Sequence, residues 1–140
     1  DIDRHAYVIK ERADRLGARM VAIDSITAFE ATVPDPARYQ SYLWAINDYF
    51  KRNGVTIIMT TETPRAFAPL EVSTRGVSFV ADDIVFLRHV EANGEIKRAI
   101  GVLKMRGSGY DHRLRELVID PPRLAVGAPL ARLGALAATH

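Results

Sequence analysis

The chain has 140 residues, 48% hydrophobic and 26% charged, a balance that suits one soluble globular domain and excludes a disordered polymer. Nineteen Lys and Arg against seventeen Asp and Glu leave a formal charge of +2, too small for a dedicated nucleic-acid or membrane-surface binder. Cysteine is absent, which removes disulfides, thiolate metal sites and cysteine nucleophiles. No run approaches the roughly eighteen apolar residues of a membrane span, and no charged-then-apolar leader opens the sequence, so the expected location is cytoplasmic.

Ile2, Ala6, Ile9, Ala13 and Leu16 recur at three-to-four spacing, which predicts an amphipathic helix closed by Gly17. Arg19 to Thr27 (RMVAIDSIT) reads as a buried strand with a polar carboxyl end. In Pro34-Asp35-Pro36, Asp35 is placed to cap a helix and Pro36 to occupy its first position. The stripe Tyr39, Tyr42, Leu43, Ile46, Tyr49 and Phe50 is the core face of that helix, which stops near Asn53-Gly54. Trp44 lies off the stripe, at a rim or a subunit contact.

Val55 to Thr61 (VTIIMTT) predicts a second buried strand, and strand–helix–strand at this spacing implies a parallel pair with a right-handed crossover. Thr63 to Asp82 is expected to be a mobile, exposed loop. Asp83 to Glu91 and Glu95 to Arg106 flank Asn93-Gly94, the strongest short hairpin signal. Arg115 to Asp120 (RELVID) is the last expected strand. The domain reading is therefore 1–120, with 121–140 as an Ala/Leu/Gly-rich tail, either a loose helix or disorder. The fold class is α/β, with a mainly parallel centre and an antiparallel hairpin edge.

Ligands of open parallel sheets bind beyond the carboxyl ends of the strands, here Asp24-Ser25 and Thr60-Thr61-Glu62. Asp24 after MVAI suits a Mg²⁺-orienting carboxylate, or equally a structural cap. Thr61 and Glu62 can orient a water near a phosphate, or simply end a strand. Lys104 and Arg106, at spacing two, are expected on one strand face with Arg98 further back. The Gly107-Ser108-Gly109 turn follows them, so the set suits phosphate oxygens. The alternative is a solvated edge strand guarded by charge. The four histidines lack metal-ligand spacing, Asp111-His112 reads as a polar turn, and Ser25 with Asp24 and a remote His makes no convincing triad. Asp82 and Asp83 face opposite ways as strand neighbours, which favours a structural role over a metal site.

VAIDSITAF (21–29), TTE (60–62) and GEIKRAIGVLKMRGS (94–108), continuing into RELVID, resemble the KaiC-like circadian-clock ATPase family of the RecA-like P-loop superfamily. The resemblance covers about residues 1–120, and KMRGS after the RAI strand is its most specific part. It implies a RecA-like fold, ATP and Mg²⁺ as cofactors, and self-association into a hexameric ring with ATP between subunits. It further implies that Asp24 is the second-motif magnesium carboxylate, with Ser25 beside it, while Glu62 stays a catalytic candidate from its place at the neighbouring strand end. Lys104, Met105, Arg106 and Ser108 would contact ATP on the adjacent subunit, with Arg98 a further contact. Such cations neutralise charge developing on the γ-phosphate.

The sequence departs from that family at defined places. No G-x-x-x-x-G-K-[ST] loop occurs in these 140 residues, nor does the family's catalytic glutamate pair, so the expectation is the carboxyl half of a RecA-like domain. Where the family's autophosphorylated domain carries a Ser-Thr pair, this chain has Ser78 and Phe79. Three functions follow: an ATPase module probed through Asp24, Lys104 and Arg106; a non-catalytic assembly or regulatory domain; and a recombinase-like binder of single-stranded DNA. The last is disfavoured because Arg65 and Arg75 in the 63–82 loop are offset by Glu71 and Asp82.

Overall fold

The structure is a computed structural model, and its described residues are 2–62 and 80–130. They form α1 (Ile2–Arg15), β1 (Met20–Ile23), α2 (Thr27–Thr32), α3 (Pro36–Arg52), β2 (Thr56–Met59), β3 (Asp83–Ala92), β4 (Glu95–Met105), β5 (Arg115–Asp120) and β6 (Arg123–Pro129). The strands make two sheets, a parallel pair β1-β2 and an antiparallel four in the order β3-β4-β5-β6. The α/β class thus stands, with the antiparallel part extending well past a hairpin edge. Two compact units divide the chain, one carrying the helices and the parallel pair, the other the antiparallel sheet.

In the first unit, local signals set the helix ends. Asp35 accepts a hydrogen bond from Ala37 N at 2.9 Å with Pro36 at the first position of α3, as its sequence implies. Both long helices close on a glycine at positive φ, Gly17 and Gly54. In each case the next amide reaches back five residues, Ala18 to Ala13 O and Val55 to Phe50 O, both at 2.9 Å, which satisfies carbonyls the helix leaves open. Tyr39, Tyr42, Leu43, Ile46 and Phe50 are buried in one cluster with Ile2, Ala13, Ile23 and Ile26. Leu16 departs from the expected stripe: α1 ends at Arg15, and the side chain is 77% exposed. Trp44 is 56% exposed.

β1 and β2 pair in register, Met20 with Thr56 through Ile23 with Met59. The sequence reading expected both strands to be fully buried, and only half of that is found. Val21, Ile23, Ile57 and Met59 pack on the helical cluster, whereas Met20 and Ile58 on the other face are exposed. The reason is that successive strand side chains alternate sides, and the described helices cover one side.

In the second unit, Asn93 and Gly94, both at positive φ, join β3 to β4. This is the conformation that the two-residue hairpin turn demands. Pairing runs from Ala92–Glu95 back to Asp83–Met105 with one irregularity, since Ile84 faces Lys104 but Val85 faces Val102. Leu103 is thus an extra residue in β4, and its carbonyl accepts a hydrogen bond from Tyr110 Oη at 3.0 Å. β6 is an element the sequence reading did not foresee in its tail: Leu124 and Val126 alternate with polar or small residues and pair with Ile119 and Leu117. Cross-strand partners share a face. Following them through the sheet puts Val85, Leu87, Ile96, Ile119, Leu124 and Val126 on one side, each between 49% and 71% exposed.

Candidate functional site

At the carboxyl ends of β1 and β2 the chain assembles a polar patch from two strands that are neighbours only because they are parallel. Thr60 N donates to Ile23 O at 3.0 Å, and Ile26 N to Thr60 O at 2.9 Å, so the two ends stay side by side beyond the ladder. Thr60 Oγ1 then donates to Asp24 Oδ1 at 2.5 Å, and the Asp24–Ser25 peptide is cis. Thr27, at the start of α2, ties in the remaining residues. Its hydroxyl accepts from Glu62 N at 2.9 Å and lies 3.3 Å from Thr61 Oγ1. Asp24, Thr60, Thr61 and Glu62 are all exposed, which leaves oxygen atoms open to solvent around one carboxylate. Such a hard, all-oxygen set suits Mg²⁺, which binds through one or two carboxylates and keeps several waters.

The second group lies where β4 ends beside the start of β3. Lys104 Nζ donates to Ala81 O at 2.7 Å. Arg106 Nη1 lies 3.0 Å from Asp82 Oδ1, and Arg106 N donates to Asp83 Oδ1 at 3.1 Å. Met105 faces Asp83 in the ladder and is half-buried, and Ser108 is exposed in the turn that follows. The guanidinium, ammonium and turn N–H donors fit a phosphate group chemically.

Arg98 requires a correction. Spacing alone put it on the same face as Lys104, but the extra Leu103 reverses the alternation between them. Arg98 shares its face with His89, whereas Lys104 shares the opposite one with Ile84 and Phe86. β4 pairs with β5 only through Ala99–Glu116 and Ile100–Arg115. Next to these pairs is a cavity of about 360 Å³, and Arg98 lines it with His89, Glu116, Leu117 and Ile119. Ser78, Phe79, Arg65, Arg75 and Glu71 lie outside the described residues.

Elsewhere the titratable groups serve the fold. Asp111 accepts from Arg113 N, Arg113 Nε and Nη2, and Arg115 Nε. These bonds hold its carboxyl well below the usual carboxylate range. That agrees with the polar-turn reading of Asp111-His112. Burial pushes the Tyr39 and Tyr42 phenols up to about 12. Tyr42 Oη lies 2.7 Å from His5 Nδ1, and burial lowers the pKa of that imidazole. Among the described residues, no helix is long and apolar enough to cross a membrane.

Sequence reasoning singled out Asp24, Glu62, Lys104 and Arg106 as candidates but not the residues they contact. Thr27 was passed over because a Thr opening a six-residue helix has no motif. Asp82 and Asp83 were noticed as a pair, but nothing linked them to Arg106, 24 and 23 positions on.

Comparison with known proteins places the chain among relatives. The family model described as "ATPase: KaiC" matches residues 1–130. The circadian clock protein KaiC3 of Synechocystis sp. is 30% identical over 140 residues, 99% of this chain and 28% of that protein. The circadian clock oscillator protein KaiC of Synechococcus elongatus is 30% identical over 119 residues, 85% of this chain and 23% of that protein. The chain therefore spans about a quarter of the length of these relatives. Among solved structures, a KaiC-like protein from the hyperthermophilic archaeon Pyrococcus horikoshii OT3 superposes with a TM-score of 0.76 at 26% identity. That match covers 91% of this chain and 57% of the other.

Proposed function

The chain belongs to the KaiC ATPase family, and from that premise we propose that it contributes two parts of an ATP site shared between subunits. Asp24 is the carboxylate that orients Mg²⁺, held by the Thr60 hydroxyl, and Glu62 on the adjacent strand end positions a water. Lys104, Met105, Arg106 and Ser108 form the part that reaches ATP on a neighbouring copy, with Arg98 as a further contact from its own face of β4. Bound Mg-ATP supplies the reacting phosphates and the charge-neutralising cation. The chain's residues orient that group, and Lys104 and Arg106 place positive charge where negative charge develops. The partner is further copies of the same protein, in a ring that is hexameric by family expectation, in cytoplasmic signal transduction.

The observation that supports this reading best is the Thr60–Asp24 hydrogen bond, which fixes a strand-end carboxylate among hydroxyls at the place where open sheets bind ligands. In the assembled protein, Asp24→Asn should abolish most Mg²⁺-dependent ATP turnover, and Arg106→Ala should lower turnover more than stability. Unchanged turnover in either variant removes that residue's role.

A second reading, a domain that assembles without turning over nucleotide, is favoured by the exposed apolar side of the antiparallel sheet. It predicts oligomers whose mass does not respond to Mg-ATP and in which Asp24→Asn changes nothing.

A further inference from the structure

Ala81, Asp82 and Asp83, the residues that lead into β3, contact the end of β4 in turn. Ala81 O accepts from Lys104 Nζ, Asp82 Oδ1 forms an ion pair with Arg106 Nη1, and Asp83 Oδ1 accepts from the Arg106 main-chain N–H. The sequence reading took Asp82 and Asp83 as strand neighbours, but Asp82 precedes β3 and only Asp83 belongs to it. The doublet still serves one arginine twice, with one carboxylate at the side chain and the other at the backbone. The pairing rests on a register that the bulge at Leu103 sets, because Lys104 falls opposite Ile84 and Met105 opposite Asp83 only with the extra residue in place.

We propose that Asp82 is a positioning residue for the phosphate clamp. It holds one terminal nitrogen of the Arg106 guanidinium so that the remaining N–H groups are presented to a phosphate, while Asp83 fixes the main chain beneath. This deepens the reading above and rests on it. The physical basis is conformational. Arginine has many rotamers, and one that is 61% exposed must be ordered before it can bind an anion through two parallel hydrogen bonds. A carboxylate contact at 3.0 Å supplies part of that order beforehand.

The opposite role, a carboxylate that competes with phosphate for Arg106, makes the opposite prediction, so the two are separable. The test uses the whole 140-residue chain, ¹⁵N-labelled, with inorganic triphosphate as probe and the Arg106 Nε–Hε NMR signal as readout. In the unaltered chain that signal should be sharp and should shift on titration. Asp82→Ala should broaden it before any triphosphate is added and weaken triphosphate binding about two- to fivefold, the scale of an exposed ion pair. Asp82→Asn keeps an oxygen acceptor and should restore most of the sharpness. In an Arg106→Ala background, Asp82→Ala should leave residual triphosphate binding unchanged.

Tighter binding by Asp82→Ala would make Asp82 a competitor and overturn the proposal, as would unaltered affinity with an unaltered signal. An Arg106 signal indifferent to triphosphate in the unaltered chain would overturn the clamp reading itself. A signal that responds equally in both proteins would overturn only the positioning role.

Discussion

Gly101 offers a test of the register on which the clamp depends. A Cβ built at this position would lie 2.4 Å from Phe86 Cε1, 2.6 Å from Phe86 Cζ and 3.1 Å from Leu114 Cδ2. Phe86 is the cross-strand partner of Gly101, so its ring lies across the bare backbone of β4. Contacts below 3 Å cannot persist, and Gly101→Ala must displace the ring or spread the strands. Overpacking of this kind costs about 1–3 kcal/mol. Native-state hydrogen exchange of β3 and β4 amides should therefore quicken about five- to 150-fold. Phe86→Leu in the same chain removes the far ring atoms, so the double variant should lose less stability than the two single changes add up to. A coupling of at least about 0.5 kcal/mol is expected. Strict additivity, or unchanged exchange in Gly101→Ala, would refute the ring-over-glycine packing and the pairing of Phe86 with Gly101.

Three further outcomes follow from named contacts. Thr60→Val removes the hydroxyl that Asp24 accepts, and the altered protein should need several-fold more Mg²⁺ for half-maximal ATP turnover while its helical circular dichroism is unchanged. Asp35→Ala removes the cap of α3 and should lower the stability of the helical unit by about 1 kcal/mol in urea unfolding followed by Trp44 fluorescence, with Asp35→Asn close to neutral. His5 has a folded pKa depressed below 6.5, so the unfolded chain binds more protons as pH falls past that value. Its contribution is fully present above pH 6.5 and is lost as pH drops towards the folded pKa. The stability difference between the unaltered chain and His5→Gln should accordingly shrink on acidification, as read by denaturant midpoints at successive pH values.

The elements that were legible in the sequence are those that local chemistry decides. Asp35-Pro36 could be read as a helix start because the cap and the proline act within a few residues, and Asn93-Gly94 as a hairpin because its dihedral demands are met by those two residues. The parallel pair was legible from two apolar runs separated by a helix. What escaped was decided at longer range. No local signal announces the extra Leu103, which is recognisable only against its partner strand, and it moved Arg98 to the opposite face from Lys104. β6 escaped because Arg123–Pro129 contains two glycine or proline residues and follows Pro121-Pro122, a composition that reads as tail until β5 provides an edge to pair with. Asp24 was identified by its position after an apolar run, but its partner Thr60 lies 36 residues away and meets it only once the strands align.

The claim that Asp24 and Arg106 serve one ATP site from different subunits is tested most directly by mixing. Asp24→Asn and Arg106→Ala forms of the assembled protein should each turn over little ATP alone. A re-associated mixture, with mixed oligomers verified by native mass spectrometry, should regain turnover, because some sites then receive an intact Asp24 from one copy and an intact Arg106 from another. Mixed oligomers that stay as inactive as the separate variants would contradict the shared-site account.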